Sequence, residues 1–244
     1  MAFSGGNKRA EVIFVVNVDG SGLKRLTRPP RGRKRTEDWS QNPSWSPDGK
    51  WIAFDGARTA TGNWLIPDVY VMRADGSAER RLAGGRGAQW FTHWSPDGRR
   101  ILFEEPVGSV FKKTKLIDLY TVNPDGSGKL KLARIRNEAD HCACAVWSPD
   151  GTKIAYEAEG VRGRPDIYVM NADGSDRRQL THHRARDENP DWSADGTQIA
   201  FYSERVGNAE IYVMNADGLQ ERRVTRDPWY DQAVRWEPAQ KSRK

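Results

Sequence analysis

The sequence predicts an all-β chain: a five-bladed β-propeller of four-stranded antiparallel blades, with one blade closed by strands from both termini. Three observations carry that prediction. The motif Trp-Ser-Pro-Asp-Gly, or a near copy, starts at Trp45, Trp94, Trp147 and Trp192, and a fifth copy begins at Trp236 as Trp-Glu-Pro. A second pattern starts at Glu11, Asp68, Asp118, Asp166 and Glu210: an acidic residue, a β-rich run, a turn ending in Asp-Gly, then a basic run into Leu or Val. Successive repeat tryptophans lie 49, 53, 45 and 44 residues apart, close to the roughly 45–50 residues of one four-stranded blade.

Each element follows from local chemistry. Strand a ends at the repeat Trp. Pro then presets φ and Gly takes the left-handed position, so Ser-Pro-Asp-Gly folds the chain back into strand b, Ile52-Ala-Phe54 in the first copy. Strand c is the Tyr-Val-Met run, and Asn-Ala-Asp-Gly-Ser turns it into strand d, Arg-x-Leu-Thr. Val, Ile, Tyr and Phe in these runs suit strands packed on both faces. The blades are expected at residues 42–83, 91–132, 144–181 and 189–225, and a fifth from 232–240 with 1–27, all in one domain of 1–244. Shared between the two ends of the chain, the fifth blade leaves no open sheet edge.

Composition narrows the class of function. The 244 residues include 10 Trp and 24 aromatics in all, far too many for a disordered chain, and no apolar run reaches the roughly 18 residues that span a bilayer. Met1 to Arg9 has no apolar core of the kind an export signal needs, so a cytoplasmic home is expected if Met1 is the native start. The formal charge is +6, and the acid-free run Arg28, Arg31, Arg33, Lys34 and Arg35 accounts for all but one unit of it. That is one loop and not a phosphate-binding face, so nucleic acid is not the expected partner. Cys142 and Cys144 stand two apart. On a regular strand they leave one backbone in the same direction, poor geometry for a mutual disulfide, so buried thiols without a metal are expected.

Trp-Ser-Pro-Asp-Gly-x-x-Ile-Ala-Phe, with Ile-Tyr-Val-Met-Asn-Ala-Asp-Gly-Ser and Arg-x-Leu-Thr, resembles the repeat of the TolB-like β-propellers over essentially the whole chain. The resemblance implies a bacterial, periplasmic or secreted binding platform that receives a protein segment at its propeller. Related propellers precede prolyl-oligopeptidase-type catalytic domains. The sequence departs from TolB in showing five units where TolB has six, and in showing no amino-terminal α/β domain.

The a–b and c–d turns are short and near-identical, whereas the b–c and d–a loops, at 28–41, 57–67, 104–116, 182–188 and 226–232, vary in length and content. Variable loops on a rigid scaffold are where binding concentrates. The residues just before each repeat Trp are therefore the expected rim of a channel mouth. They are Trp39, Gln41 and Asn42; Gln89, Trp90 and His93; Asp140 and His141; Asp187 and Glu188; and Trp229, Tyr230, Asp231 and Gln232. Trp39, Trp90 and Trp229 lie outside the repeat and are candidate anchors for a peptide or sugar. The repeat tryptophans are expected to pack between blades. The Asp of each Asp-Gly turn should bond its own backbone, and the acid before strand c should pair with a nearby basic residue.

No Gly-x-Ser-x-Gly elbow, His-Glu-x-x-His or phosphate-binding glycine loop is present. The expected function is thus a non-catalytic scaffold, monomeric and without cofactor or metal, holding a protein or peptide on the loop-bearing face. The alternative is a glycan-binding or carbohydrate-active propeller, because Asp38, Asp140, Asp187, Glu188 and Asp231 offer carboxylates. Two of these at about 5–9 Å could divide acid and base roles.

Overall fold

The computed structural model describes residues 1–7, 10–27, 40–61, 64–84, 88–108, 115–136, 142–160 and 162–226. Among them every regular element is a strand, and the strands form five antiparallel sheets. The first holds β1 (Ala2–Asn7), β2 (Ala10–Val15) and β3 (Lys24–Arg25). The second holds β4 (Ser40–Trp45), β5 (Trp51–Thr61), β6 (Trp64–Arg73) and β7 (Arg80–Ala83). The third holds β8 (Trp90–Trp94), β9 (Ile101–Pro106), β10 (Leu116–Val122) and β11 (Leu130–Arg136). The fourth holds β12 (Val146–Trp147), β13 (Lys153–Glu159), β14 (Pro165–Asn171) and β15 (Arg178–Gln179). The last holds β16 (Asp187–Trp192), β17 (Gln198–Ser203), β18 (Glu210–Asn215) and β19 (Arg222–Arg223). Strand order within each sheet follows the chain, as a–b–c–d predicts. The first sheet carries b, c and d; residues 232–240, expected to supply its strand a, lie outside the described residues.

The turns close as their chemistry requires. Ser46 Oγ donates to Asp48 Oδ1 at 2.6 Å, and Asp48 Oδ1 accepts the Lys50 N–H at 3.0 Å. The Ser–Asp bond recurs at 2.6 Å in Ser95–Asp97, Ser148–Asp150 and Ser193–Asp195, the last with Ala194 where the others have Pro. These donors hold the Asp195 carboxyl down at about 2. In the c–d turns Asp19, Asp75, Asp125 and Asp173 each accept the N–H of the Ser two residues on. Gly174 of this turn has φ +86°, and a Cβ there would collide with the Leu132 carbonyl.

One expected loop is a strand extension instead. Residues 57–67 carry the β5–β6 ladder on through Ala57↔Pro67, Thr59↔Ile66, Ala60↔Leu65 and Thr61↔Trp64, with a bulge between Ala57 and Thr59. β-branched and aromatic residues on both sides of 62–63 outweigh the loop expectation.

The chain divides into two compact units, residues 1–113 with 118–131, and residues 114–117 with 132–244. In the first, Ile13 of β2 packs with Ile52, Phe54, Tyr70 and Met72, and Trp45 lies against them. Ala53, Val69 and Val71 pack with Ile101, Phe103 and Val122 of the following sheet, against Trp94. In the second, Ala155, Ile167 and Val169 pack with Trp192, Ile199, Phe201 and Met214. Trp45, Trp94 and Trp192 thus sit where neighbouring sheets pack together. Each fully buried side chain such as Phe54, Phe103 or Phe201 contributes about 1.5–3 kcal/mol. A strand-b ring stacks on a strand-c ring in every sheet: Phe3–Phe14, Phe54–Tyr70, Phe103–Tyr120, Tyr156–Tyr168 and Phe201–Tyr212.

Candidate functional site

The residue three before each described repeat Trp is left-handed: Asn42 (φ 50°), Phe91 (57°), Cys144 (43°) and Asn189 (52°). The register of strand a shifts there, between Gln41 and Ser44, Trp90 and His93, and Glu188 and Asp191. The bulge bends strand a and re-aims the side chains that precede the repeat Trp.

It also meets a series of acids that the sequence reading did not single out. Asp55, Glu104 and Glu157 follow the buried Phe or Tyr of strand b, and all three are buried. Asp55 Oδ2 accepts Asn42 Nδ2 at 2.9 Å. Burial pushes its carboxyl up to about 8, with Asn42 and the backbone N–H groups of Thr92 and Phe91 pulling the other way. Glu157 Oε2 accepts the N–H of Asn189, in the next sheet, at 2.9 Å. The signal was an acid closing each of three Ile-x-aromatic runs.

In the first unit, Gln41 Nε2 donates to Glu11 and the Asn42 carbonyl accepts Thr92 Oγ1 at 3.1 Å. Gln89 is fully buried; its N–H reaches Pro67 O at 2.7 Å and its Nε2 reaches Glu105 Oε2 at 3.1 Å. Gln89 Oε1 and the indole Nε1 of half-buried Trp90 have no hydrogen-bond partner among the described residues. His93 stands on β8 between Thr92 and Trp94, half-buried.

In the second unit the two rim acids are buried and paired. Asp187 Oδ2 bonds Arg205 at 2.7 Å; Arg205 also bonds Glu221 and lies over the Tyr212 ring, 4.9 Å from its centroid. Glu188 pairs with Arg186 at 2.5 Å and accepts the Tyr202 hydroxyl. Trp39, Asp140, His141, Trp229, Tyr230, Asp231 and Gln232 lie outside the described residues, as do Asp38 and the run Arg28 to Arg35.

The acids before strand c are structural. Asp68 pairs with Arg81 at 3.1 Å, Asp118 with Lys131 at 2.7 Å and Glu210 with Arg223 at 2.5 Å. At the matching place Asp166 meets Gln179 Nε2 at 2.8 Å and Thr181 Oγ1 at 3.2 Å, two neutral partners, and the charge of Arg205 only partly offsets its burial. Burial, then the charge of Asp187, pushes the Asp166 carboxyl up to about 7.

The cysteine expectation needs correction. Cys142 and Cys144 are joined as a disulfide, with Cα atoms 5.3 Å apart. The left-handed turn at Cys144 breaks the regular strand geometry and brings the two residues within disulfide range.

The family described as TolB beta propeller domain matches residues 128–242. A TolB homolog from Chlorobium luteolum is 31% identical over 156 residues, covering 59% of this chain and 30% of that protein. The Tol-Pal system protein TolB of Anaeromyxobacter dehalogenans is 36% identical over 136 residues, covering 55% and 28%. The chain therefore spans less than half the length of these curated relatives. A provisionally named TolB structure from Agrobacterium tumefaciens superposes with a TM-score of 0.67 at 24% identity, covering 95% of this chain and 73% of that one. An oligogalacturonate lyase in complex with manganese superposes at 0.61 with 16% identity, covering 84% and 54%. At such identities the likeness is one of fold. In its repeat, its five sheets and its matches to these bacterial proteins the chain is similar to the TolB-like β-propellers.

Proposed function

We propose that the chain is a non-catalytic scaffold that takes a protein or peptide segment at the loop-bearing ends of its strands, with Trp90 as an anchor. The observation that carries this reading is the pair of polar atoms at Gln89 and Trp90. A buried Gln89 amide carbonyl that meets no partner among the described residues is costly, and the backbone of an incoming segment offers the complementary N–H; the Trp90 indole N–H also meets no partner there, as do those of Trp94, Trp147 and Trp192. Trp90 supplies the amphipathic surface favoured at binding hot spots. Gln41, Asn42 and His93 are the further candidates in the same unit. TolB relatives support a protein partner. The carbohydrate reading is less favoured because Asp187 and Glu188 are already committed to arginines.

The test compares wild type with Trp90→Ala and Trp229→Ala as bait for bacterial envelope and lysate fractions, followed by affinity measurement with the captured protein. A partner held at least about tenfold more tightly by wild type than by Trp90→Ala, with unchanged circular dichroism, supports the reading. Equal affinity in both variants removes this site. Turnover of a glycoside panel that Asp187→Asn abolishes would favour the enzyme.

A further inference from the structure

Cys142, Cys144 and Glu157 bring two sulfurs and a carboxylate oxygen within 4.8 Å of one another. Cys142 and Glu157 are buried and Cys144 is half-buried. Its geometry is built from both sides. The Glu157 N–H donates to the Ala143 carbonyl at 2.7 Å, tying the carboxylate's strand to the Cys-Ala-Cys segment. Glu157 Oε2 accepts the Asn189 N–H, and Oε1 lies 3.7 Å from Cys142 Sγ.

This is a poor place for a purely structural disulfide. Bridging residues two apart constrains a very short loop, and the loss of unfolded-chain entropy grows with loop length. Once reduced, the pair presents two thiols beside a buried carboxylate. Ionising both would place three negative groups together out of water, which only a cation can offset. Thiolate donors select soft and borderline metals, and two Cys with one Glu make a three-donor set that leaves one tetrahedral position open.

We propose that Cys142, Cys144 and Glu157 form a redox-gated site for one thiophilic divalent cation of the zinc class. In the oxidised protein the S–S bond uses both sulfur donors and the site is closed. A dithiol reductant opens it: the S–S bond breaks, two electrons and two protons pass from the dithiol to the cysteines, and the dithiol leaves as its own disulfide. The cation then displaces the two thiol protons to solvent and is held by both thiolates and Glu157 Oε1. Metal affinity therefore depends on the thiol state of the protein, independently of any partner at Trp90.

The experiment titrates cobalt(II), a spectroscopic stand-in for zinc, into the full chain after phosphine reduction and anaerobic desalting. The expected result is one equivalent bound, with thiolate-to-cobalt charge-transfer absorption that zinc(II) displaces and that the oxidised protein lacks. Glu157→Gln should weaken binding about tenfold or more, and a Cys142→Ser/Cys144→Ser double variant should lose the charge-transfer band. The double variant keeps Glu157 and its bond to Asn189, so circular dichroism matching wild type separates lost binding from lost fold. Failure of the reduced, folded wild type to bind cobalt overturns the proposal. So does equal binding by the double serine variant, and equal affinity in Glu157→Gln removes Glu157 from the ligand set.

Discussion

The backbone N–H of Asn189 points at Glu157 Oε2 from 2.9 Å, across a sequence separation of 32 residues and from one sheet to the next. Asn189 can make that bond because its φ of 52° turns the peptide out of its own ladder. Its type tolerates the left-handed region, where a β-branched residue is strained. Asn189→Val is therefore expected to lose about 1–2 kcal/mol, and Asn189→Gly to stay within about 0.5 kcal/mol of wild type. Glu157→Ala, which orphans the N–H, should lose about 1–3 kcal/mol. Urea denaturation of the three variants checks the ordering.

Asp55 makes stability depend on pH. Burial raises its folded value to about 8 from the ordinary 3.8, so the native state keeps the proton where the unfolded chain has released it. Its contribution is complete below about pH 4 and is lost as pH rises toward 8, with a slope of up to about 1.4 kcal/mol per pH unit. Asp55→Asn should flatten stability against pH between 5 and 8, whatever it does to stability at one pH. An unchanged slope would contradict this account.

Gln179 offers a gain. Arg223, at the corresponding place in the last sheet, bonds both Glu210 and the Thr225 carbonyl, while Gln179 bonds Asp166 and the Thr181 carbonyl. Gln179→Arg should restore the missing ion pair and lower the Asp166 value from about 7. Because a raised carboxyl loses its stabilising contribution as pH climbs from about 4 to 7, the variant should be the more stable protein at pH 8. Thermal unfolding at pH 5 and pH 8 measures the difference.

Arg205 serves Asp187, Glu221 and the Phe201–Tyr212 stack together. Removing it leaves the fully buried Asp187 carboxylate without its cation, so Arg205→Ala is expected to cost about 3–5 kcal/mol. The double variant Arg205→Ala/Asp187→Ala should recover part of that loss. A double-mutant cycle in denaturant reads the coupling directly.

Much of the blade was legible because its determinants are local. Trp45-Ser-Pro-Asp-Gly49 contains the hydroxyl, the carboxylate and the glycine that close its turn within five residues, and the Asp68 and Glu210 series could be read as paired acids. Gln41, Asn42, Gln89 and Trp90 were legible as rim candidates by position, but not in their bonding. Whether an acid such as Asp187 stays free or is taken up by Arg205 depends on a contact 18 residues away.

By itself the sequence determined the number of repeats, the order a–b–c–d and the turn chemistry, since all are written within one repeat and copied along the chain. Only the tertiary structure decided the left-handed bulges, because Asn42, Phe91, Cys144 and Asn189 share no side-chain chemistry that requires positive φ. It also decided the burial of Asp55 and Glu157, the value of about 7 at Asp166, and the meeting of Cys142 with Cys144 and Glu157. The physical reason is that a buried charge or a strained backbone is stabilised by whatever the neighbouring sheet presents, and that neighbour is specified tens of residues away.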